Sequence, residues 1–268
     1  GMPVIAWVND LTNSMYADWP KTLKDMMRYR WMSGLPLIQQ NFFQLVVLLD
    51  MRDPRALLLL GMYLDATLMD YAIRWGIVPL LEDEDCHVLA QLLWLGMEQL
   101  AALEIPLFLQ KLAATPLTPE GRVDPKQARA VLRSMLPASA QEDNELMAFL
   151  NGGERISGYK RLLELAKSYL GRLHTMKRPG SSGVAYFNGQ EVSLDEHLIS
   201  QVFAATKYQL QMAWDDIRDG YIDSQDRYTR YFYDLRDTKS RRSALVTMVE
   251  DAQSFVRPSV YVRLPDVT

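Results

Sequence analysis

The most hydrophobic part of the chain, residues 42–80, limits the folds that are open to it. Charged side chains interrupt this stretch so often that no window of about 18 uncharged residues survives, and no membrane span is expected. The interrupting residues are Asp50, Arg52, Asp53, Arg55, Asp65, Asp70 and Arg74. Buried core helices account for such a composition better, so the chain is predicted to be globular with a substantial core.

Asp53 and Pro54 give the clearest start signal for a helix. Aspartate is favoured at the N-cap and proline at the first helical position. The predicted helix runs from there to Gly76, which would end it in a left-handed turn. Because its interior is apolar on nearly all sides, we place it at the centre of a helical bundle.

Similar start and stop signals predict helices along the rest of the chain. Asp124 and Pro125 repeat the arrangement of Asp53 and Pro54, and Pro106 breaks a long helix that begins near Asp83. The further predicted helices cover residues 21–29, 37–49, 125–136, 142–150, 157–176 and 194–237.

The segment TPLTPEGRVDP, residues 115–125, contains three prolines and a glycine and is typical of a linker. It predicts an N-terminal helical bundle at residues 2–114, a linker at 115–124 and a C-terminal helical region at 125–268. Within that region Asn188 and Gly189 indicate a small β-hairpin near residues 184–192. The predicted fold class is therefore all-α, with one hairpin.

Charge and cysteine content bound the function. The formal net charge of −4 argues against a nucleic-acid partner, because binding to phosphates needs clustered Lys and Arg. The single cysteine, Cys86, cannot form an internal disulfide, and no basic segment followed by an apolar one opens the chain. These features predict a cytoplasmic protein.

Asp215, Asp216 and Asp219 have the spacing D-D-x-x-D. The triplet resembles the motif with which isoprenoid synthases hold Mg²⁺ against a diphosphate. At about 100° per residue, however, the three aspartates point roughly 120 to 160° away from the apolar face of their predicted helix. We interpret them as the solvent-exposed side of that helix, with a metal–diphosphate site as the alternative.

Residues 82–87, EDEDCH, crowd four carboxylates against a thiol and an imidazole, all of which are possible metal ligands. Acidic residues are also favoured at a helix N-terminus, and we interpret the run as a helix start. No zinc, nucleotide-binding or nucleophile motif occurs. No metal site, cofactor or catalytic residue is therefore predicted.

Lys177, Arg178, Ser181 and Ser182 lie in a loop where basic residues meet glycines, and they form a candidate anion-binding site. The alternative is that the two basic residues only follow the end of a helix, where cations are favoured.

The C-terminal helix carries apolar residues at heptad-like spacing, and Tyr221, Tyr228, Tyr231 and Leu235 form a candidate interface. A helix of this length must break, most simply near Gly220, or project and find a partner. We predict a protein partner or a homodimer through this helix.

The predicted function is that of a non-enzymatic interaction or regulatory protein, because amphipathic helices are abundant and convergent polar groups are not. Two alternatives stay open. One is a helical enzyme or small-molecule binder with an apolar pocket between helices, and the other is a structural component of a larger assembly.

Overall fold

A mixed β-sheet lies at the centre of the molecule. The computed structural model describes residues 4–21, 37–153, 156, 158–172, 183–188 and 190–220. Within these ranges the strands form one five-stranded sheet in the order β1-β3-β2-β4-β5. The strands are β1 (Ala6–Trp7), β2 (Phe43–Leu49), β3 (Ile73–Pro79), β4 (Gly183–Phe187) and β5 (Gln190–Ser193).

The prediction of an all-α fold and a helical bundle is wrong. Residues 37–49, predicted as a helix, contain the central strand β2. The helix predicted from Asp53 to Gly76 is also too long, because its last residues belong to β3. Every residue of β2 is buried, so the strand lacks the alternation of apolar and polar residues that identifies a half-exposed strand. A short, continuously apolar run cannot be distinguished from a buried helix by its periodicity.

The pairing of the strands explains why Gly76 is a glycine. β2 and β3 are parallel, with Val46 opposite Gly76, whereas β1 pairs antiparallel with β3. A Cβ atom at Gly76 would lie 2.5 Å from Cγ2 of Ile5 and 2.9 Å from the ring of Trp7. The glycine therefore permits close packing on the sheet, and it does not end a helix.

The hairpin consists of β4 and β5, which pair antiparallel. Asn188, in the turn, has a φ of 44°, a left-handed conformation that asparagine tolerates better than most residues. Its side-chain Oδ1 accepts a hydrogen bond from the backbone N–H of Gln44 at 2.9 Å, and its backbone N–H donates to the carbonyl oxygen of Gln44 at 2.9 Å. The turn is thereby attached to the start of the central strand.

The helices surround this sheet, and several begin at the predicted caps. Asp53, Asp83 and Asp124 each accept a hydrogen bond from a backbone N–H in the first turn of the helix that follows. In the described part of the chain the α-helices are α1 (Pro54–Thr67), α2 (Glu84–Gln99), α3 (Ile105–Ala113), α4 (Pro125–Met135), α5 (Asn144–Leu150), α6 (Gly158–Arg172) and α7 (Leu198–Arg218).

Helix α7 ends at Arg218, and Gly220 has a φ of 80°. A glycine in the left-handed conformation commonly terminates a helix, and α7 therefore ends next to Gly220, where the sequence placed the simplest break. Of the predicted helices, most of residues 21–29 and the part of the C-terminal helix after Gly220 lie outside the described residues.

Both faces of the sheet are buried. Leu45, Val47 and Leu49 of β2 belong to the large core, which also contains the buried side of α1. Val46 and Leu48 point to the other face and belong to a smaller cluster. Burial on both faces identifies the sheet as the centre of the fold.

Strands from both sides of the predicted linker at residues 115–124 share the sheet, because β2 pairs with β4. The division of the chain at that linker into two regions stays a prediction. No helix in the described ranges combines the length and the apolar composition that a membrane span requires.

Candidate functional site

The carboxyl ends of the two parallel strands are the first place to look for a site. β2 ends at Leu49 and β3 at Pro79, and because the strands are parallel both ends lie at the same edge of the sheet. Helices α1 and α2 begin a few residues later, so two helix N-termini also open at this edge. Ligands of open α/β sheets bind outside the carboxyl ends of the strands.

Arg52 occupies this edge and is 4% exposed. Its Nε donates to Oδ1 of Asp50 at 3.0 Å, and its Nη2 donates to Oδ2 of the same carboxylate at 3.0 Å. Further ion pairs join it to Glu82 and Asp83. We call these four residues the Arg52 cluster. The hydrogen bonds to Asp50 raise the pKa of Arg52 above its ordinary value, and the bond to Glu82 adds to this effect.

The Arg52 cluster ties together elements that are distant in sequence. Asp83 caps α2 by accepting a hydrogen bond from the backbone N–H of Cys86 at 2.9 Å. This bond lowers the pKa of the Asp83 carboxyl, and Arg52 contributes to the same shift. The carbonyl oxygen of Arg52 accepts a hydrogen bond from the backbone N–H of Val123 at 2.9 Å, which brings the predicted linker to the same edge.

The chemistry of the Arg52 cluster is that of a closed ion-pair network. Its one guanidinium group is shared among three carboxylates, so it offers no open side to an incoming anion. The three carboxylates outnumber the one guanidinium group, so the cluster has an excess of formal negative charge. In the described part of the chain, no group of three or more His, Cys, Asp or Glu residues could hold a metal ion. The cluster ties the loop before α1 to the N-terminus of α2.

Cys86 lies in the first turn of α2, next to the Arg52 cluster, and its side chain is fully buried. A helix N-terminus lowers the pKa of a thiol, whereas an apolar environment raises it. Here burial is the larger effect and raises the pKa of Cys86 to about 11. The thiol is therefore protonated at neutral pH and has no access to solvent.

A comparison with protein families gives a result that agrees with a mixed sheet flanked by helices. Residues 1–246 match the model of a family described as a thioredoxin-like domain. The chain belongs to this family of thioredoxin-like domains. Its membership agrees with the five-stranded mixed sheet and overturns the all-α prediction. No curated protein gives a significant match to the chain.

This thioredoxin-like domain lacks the dithiol of redox-active thioredoxins. Their chemistry uses a C-x-x-C motif in which one thiol has a lowered pKa. The segments that lead into α1 and α2 contain no such motif, and Cys86 is the one cysteine in the sequence. A thioredoxin-like domain with a single buried, protonated thiol cannot carry out intramolecular dithiol–disulfide exchange.

The sites predicted from sequence fall mostly elsewhere. Asp215 is partly buried and Asp219 is exposed near the end of α7, while the side chain of Asp216 lies outside the described residues. The candidate anion-binding loop and the candidate interface also lie outside the described residues. They comprise Lys177, Arg178, Ser181 and Ser182 for the loop, and Tyr221, Tyr228, Tyr231 and Leu235 for the interface.

Arg52 was missed as a structural centre because the sequence shows it only as one of several charges that interrupt an apolar stretch. A usable signal did exist. Asp50 and Arg52 directly follow a run that contains Val46 and Val47, and β-branched residues favour strands. Charges that directly follow a buried strand lie at the edge of the sheet, where sites are found.

Proposed function

We propose that this chain is a non-enzymatic protein-interaction domain. The observation that carries the proposal is a group of four large apolar side chains that stay exposed beside one helix crossing. Leu58 and Met62 of α1 are 47% and 55% exposed, and Leu103 and Leu107 are 52% and 48% exposed. We call these four residues the apolar patch.

The two halves of the apolar patch lie next to, in sequence, the residues at which α1 and α3 pack together. A Cβ atom at Gly61 would lie 2.8 Å from Cγ of Gln110 and 3.0 Å from the carbonyl oxygen of Pro106, so the two helices meet at Gly61. Leu58 and Met62 flank this glycine in sequence, and Leu107 follows Pro106. Residues four apart lie on the same face of a helix, so Leu58 pairs with Met62.

A group of exposed apolar side chains on two packed helices favours an interaction role. Single exposed apolar residues are ordinary, whereas groups of them mark interaction sites. Leu and Met are also side chains that adapt their shape to a partner at small cost. The absence of a dithiol in the sequence supports a binding role over thiol–disulfide catalysis.

The proposed partner is another protein chain, and a second copy of this chain is the first candidate. Tyr221, Tyr228, Tyr231 and Leu235 are proposed to contribute a second apolar surface from the C-terminal segment. A structural role in a larger assembly would use the same surfaces and stays the alternative within this class of function.

The oligomeric state tests this proposal. We expect sedimentation equilibrium of the parent protein to show a dimer at micromolar concentration. Leu58→Glu combined with Met62→Glu should shift the protein to a monomer, because a charged pair in an apolar interface is costly to desolvate. Asp65→Asn, which changes an exposed residue of the same helix, is the matched control and should leave the dimer intact.

A parent protein that stays monomeric at high micromolar concentration would rule out the homodimer. Thiol–disulfide catalysis would contradict the proposal that the domain is non-enzymatic. We expect the protein not to accelerate the reduction of insulin by dithiothreitol. Acceleration that disappears in Cys86→Ser would show a redox enzyme.

A small-molecule binder is the second candidate, and one observation favours it. Gln91 of α2 is fully buried, and neither its Oε1 nor its Nε2 has a hydrogen-bond partner among the described residues. Trp94 lies on the same face of α2, and its buried Nε1 also lacks a hydrogen-bond partner among those residues. Buried polar groups are almost always hydrogen-bonded. Native mass spectrometry of the purified protein should show a retained small molecule that is absent from Gln91→Leu if this candidate is right, and a bare chain mass in both proteins if it is not.

A further inference from the structure

Helix α4 carries a row of cations on one face. Lys126, Arg129 and Arg133 follow one another at spacings of three and four residues, and at about 100° per residue they fall within roughly 60° of one another. The ion pairs of the described residues involve none of the three. In a chain with a net charge of −4 this is an unusual local concentration of unneutralised positive charge.

Arg129 is held in place by neutral groups. Its guanidinium carbon lies 4.7 Å from the centroid of the Phe149 ring, a cation–π contact. A Cβ atom at Gly152 would lie 3.6 Å from its Nη1, so the side chain also packs against the turn after α5. Its Nε is buried and has no hydrogen-bond partner in the described part of the molecule. Burial lowers the pKa of Arg129.

Arg133 is positioned by the same turn. Its Nη1 donates a hydrogen bond to Oδ1 of Asn151 at 2.8 Å, and Asn151 is the C-cap residue of α5. Residues four apart on a helix have Cβ atoms about 5–6 Å from each other, and both arginine side chains reach the turn at Asn151 and Gly152. We call Arg129 and Arg133 the two-arginine site.

The arrangement is unfavourable for the isolated domain. Like charges at positions i and i+4 repel each other, and a partly desolvated guanidinium group without a counter-ion has lost hydration without compensation. The C-terminus of α5 attracts cations through its dipole, which accounts for basic residues near Asn151. It does not account for two arginines at positions i and i+4 that have no carboxylate partner among the described residues.

We propose that the two-arginine site docks an acidic segment of a partner protein, with a carboxylate of that segment accepting hydrogen bonds from both guanidinium groups. The rigid donor geometry of guanidinium matches the two oxygens of a carboxylate. The positive charge is local and the molecule as a whole is acidic, which disfavours a long polyanion such as nucleic acid.

The two-arginine site rests on the proposed function only in that its ligand is a protein. It lies on α4 and at the end of α5, whereas the apolar patch lies on α1, on α3 and on the short turn before α3. The variants that test one surface therefore leave the other unchanged, and the two proposals can fail separately.

Fluorescence anisotropy of a labelled hexaglutamate peptide, at low ionic strength, tests the docking site. We expect saturable binding to the parent protein and binding at least about tenfold weaker to Arg129→Gln combined with Arg133→Gln, because charge-assisted bidentate hydrogen bonds are the strong ones. Arg161→Gln removes one exposed arginine from α6 and is the matched control. Leu58→Glu with Met62→Glu should bind the peptide as the parent does.

Three results would overturn the proposal. One is a loss in Arg161→Gln as large as that in the double variant, which would indicate binding to overall charge. Another is full affinity in Arg129→Lys combined with Arg133→Lys, since lysine keeps the charge and removes the donor fork. The third is tighter binding of inorganic phosphate than of the peptide in competition.

Discussion

Arg52→Met is expected to lower the free energy of unfolding by about 3–5 kcal/mol, because removing one partner of a buried ion pair leaves an uncompensated charge. The effect should come chiefly from Asp50, whose side chain is 10% exposed, since Glu82 and Asp83 are about half exposed and can be hydrated instead. Urea denaturation of the parent and the variant measures the difference.

Two further variants make this test specific. Arg55→Met changes an exposed arginine in the first turn of α1 and should stay within about 0.5 kcal/mol of the parent. Adding Asp50→Asn to Arg52→Met should recover part of the lost stability, because it removes the buried carboxylate charge whose guanidinium partner the first substitution removes. If Arg52→Met and Arg55→Met unfold at the same urea concentration, the Arg52 cluster does not stabilise the fold.

The same network predicts a dependence on pH. The folded-state pKa of Asp83 is lowered from its ordinary value of 3.8. Its contribution to stability is therefore present above that value and is lost as the pH falls through the folded-state pKa. Part of this lowering of the Asp83 pKa comes from Arg52. The difference in unfolding free energy between the parent and Arg52→Met should therefore become smaller as the pH falls below 3.8 and Asp83 is protonated.

Leu60→Ala and Leu64→Ala are each expected to cost on the order of 2–5 kcal/mol, because each leaves a cavity in a packed core. Both leucines lie on the buried side of α1, in the core that also contains one face of the sheet. The sequence suggested that these leucines pack at the centre of a helical bundle, whereas in the structure α1 packs in a core that contains the sheet. Thermal melts followed by circular dichroism measure the effect.

Leu58→Ala is the matched control, because Leu58 lies on the same helix and is exposed. It should melt close to the parent temperature. If all three variants melt together, α1 is peripheral and the assignment of the core to its Leu60 side is wrong.

The sequence predicted those elements of the fold whose signals lie within a few neighbouring residues. Asp53 with Pro54, Asp83, and Asp124 with Pro125 each identified a helix start, because capping is decided by atoms within one turn. β2 gave no such signal. Its two edges pair with β3 and β4, and its two faces are buried in separate clusters of side chains, so this information lies elsewhere in the chain.

The apolar patch and the two-arginine site could not be predicted from the sequence, because both depend on tertiary structure. Leu58 and Leu60 look alike in sequence, and only the docking of α1 in the core exposes one and buries the other. Likewise, Arg129 and Arg133 are ordinary surface residues in a helical pattern until Phe149 and Asn151 approach them from α5. Local sequence rules contain no information about such approaches between helices.

The position of β2 at the centre of the sheet sets the order in which the chain can fold. The unit β2-α1-β3 is contiguous in sequence and can form early, but the other edge of β2 pairs with β4. Gln44 and Asn188, which join those two strands, are 144 residues apart. Non-local pairing of this kind slows folding. During synthesis the edge of β2 stays unpaired until the hairpin emerges, and an unpaired apolar strand edge is prone to associate with other chains.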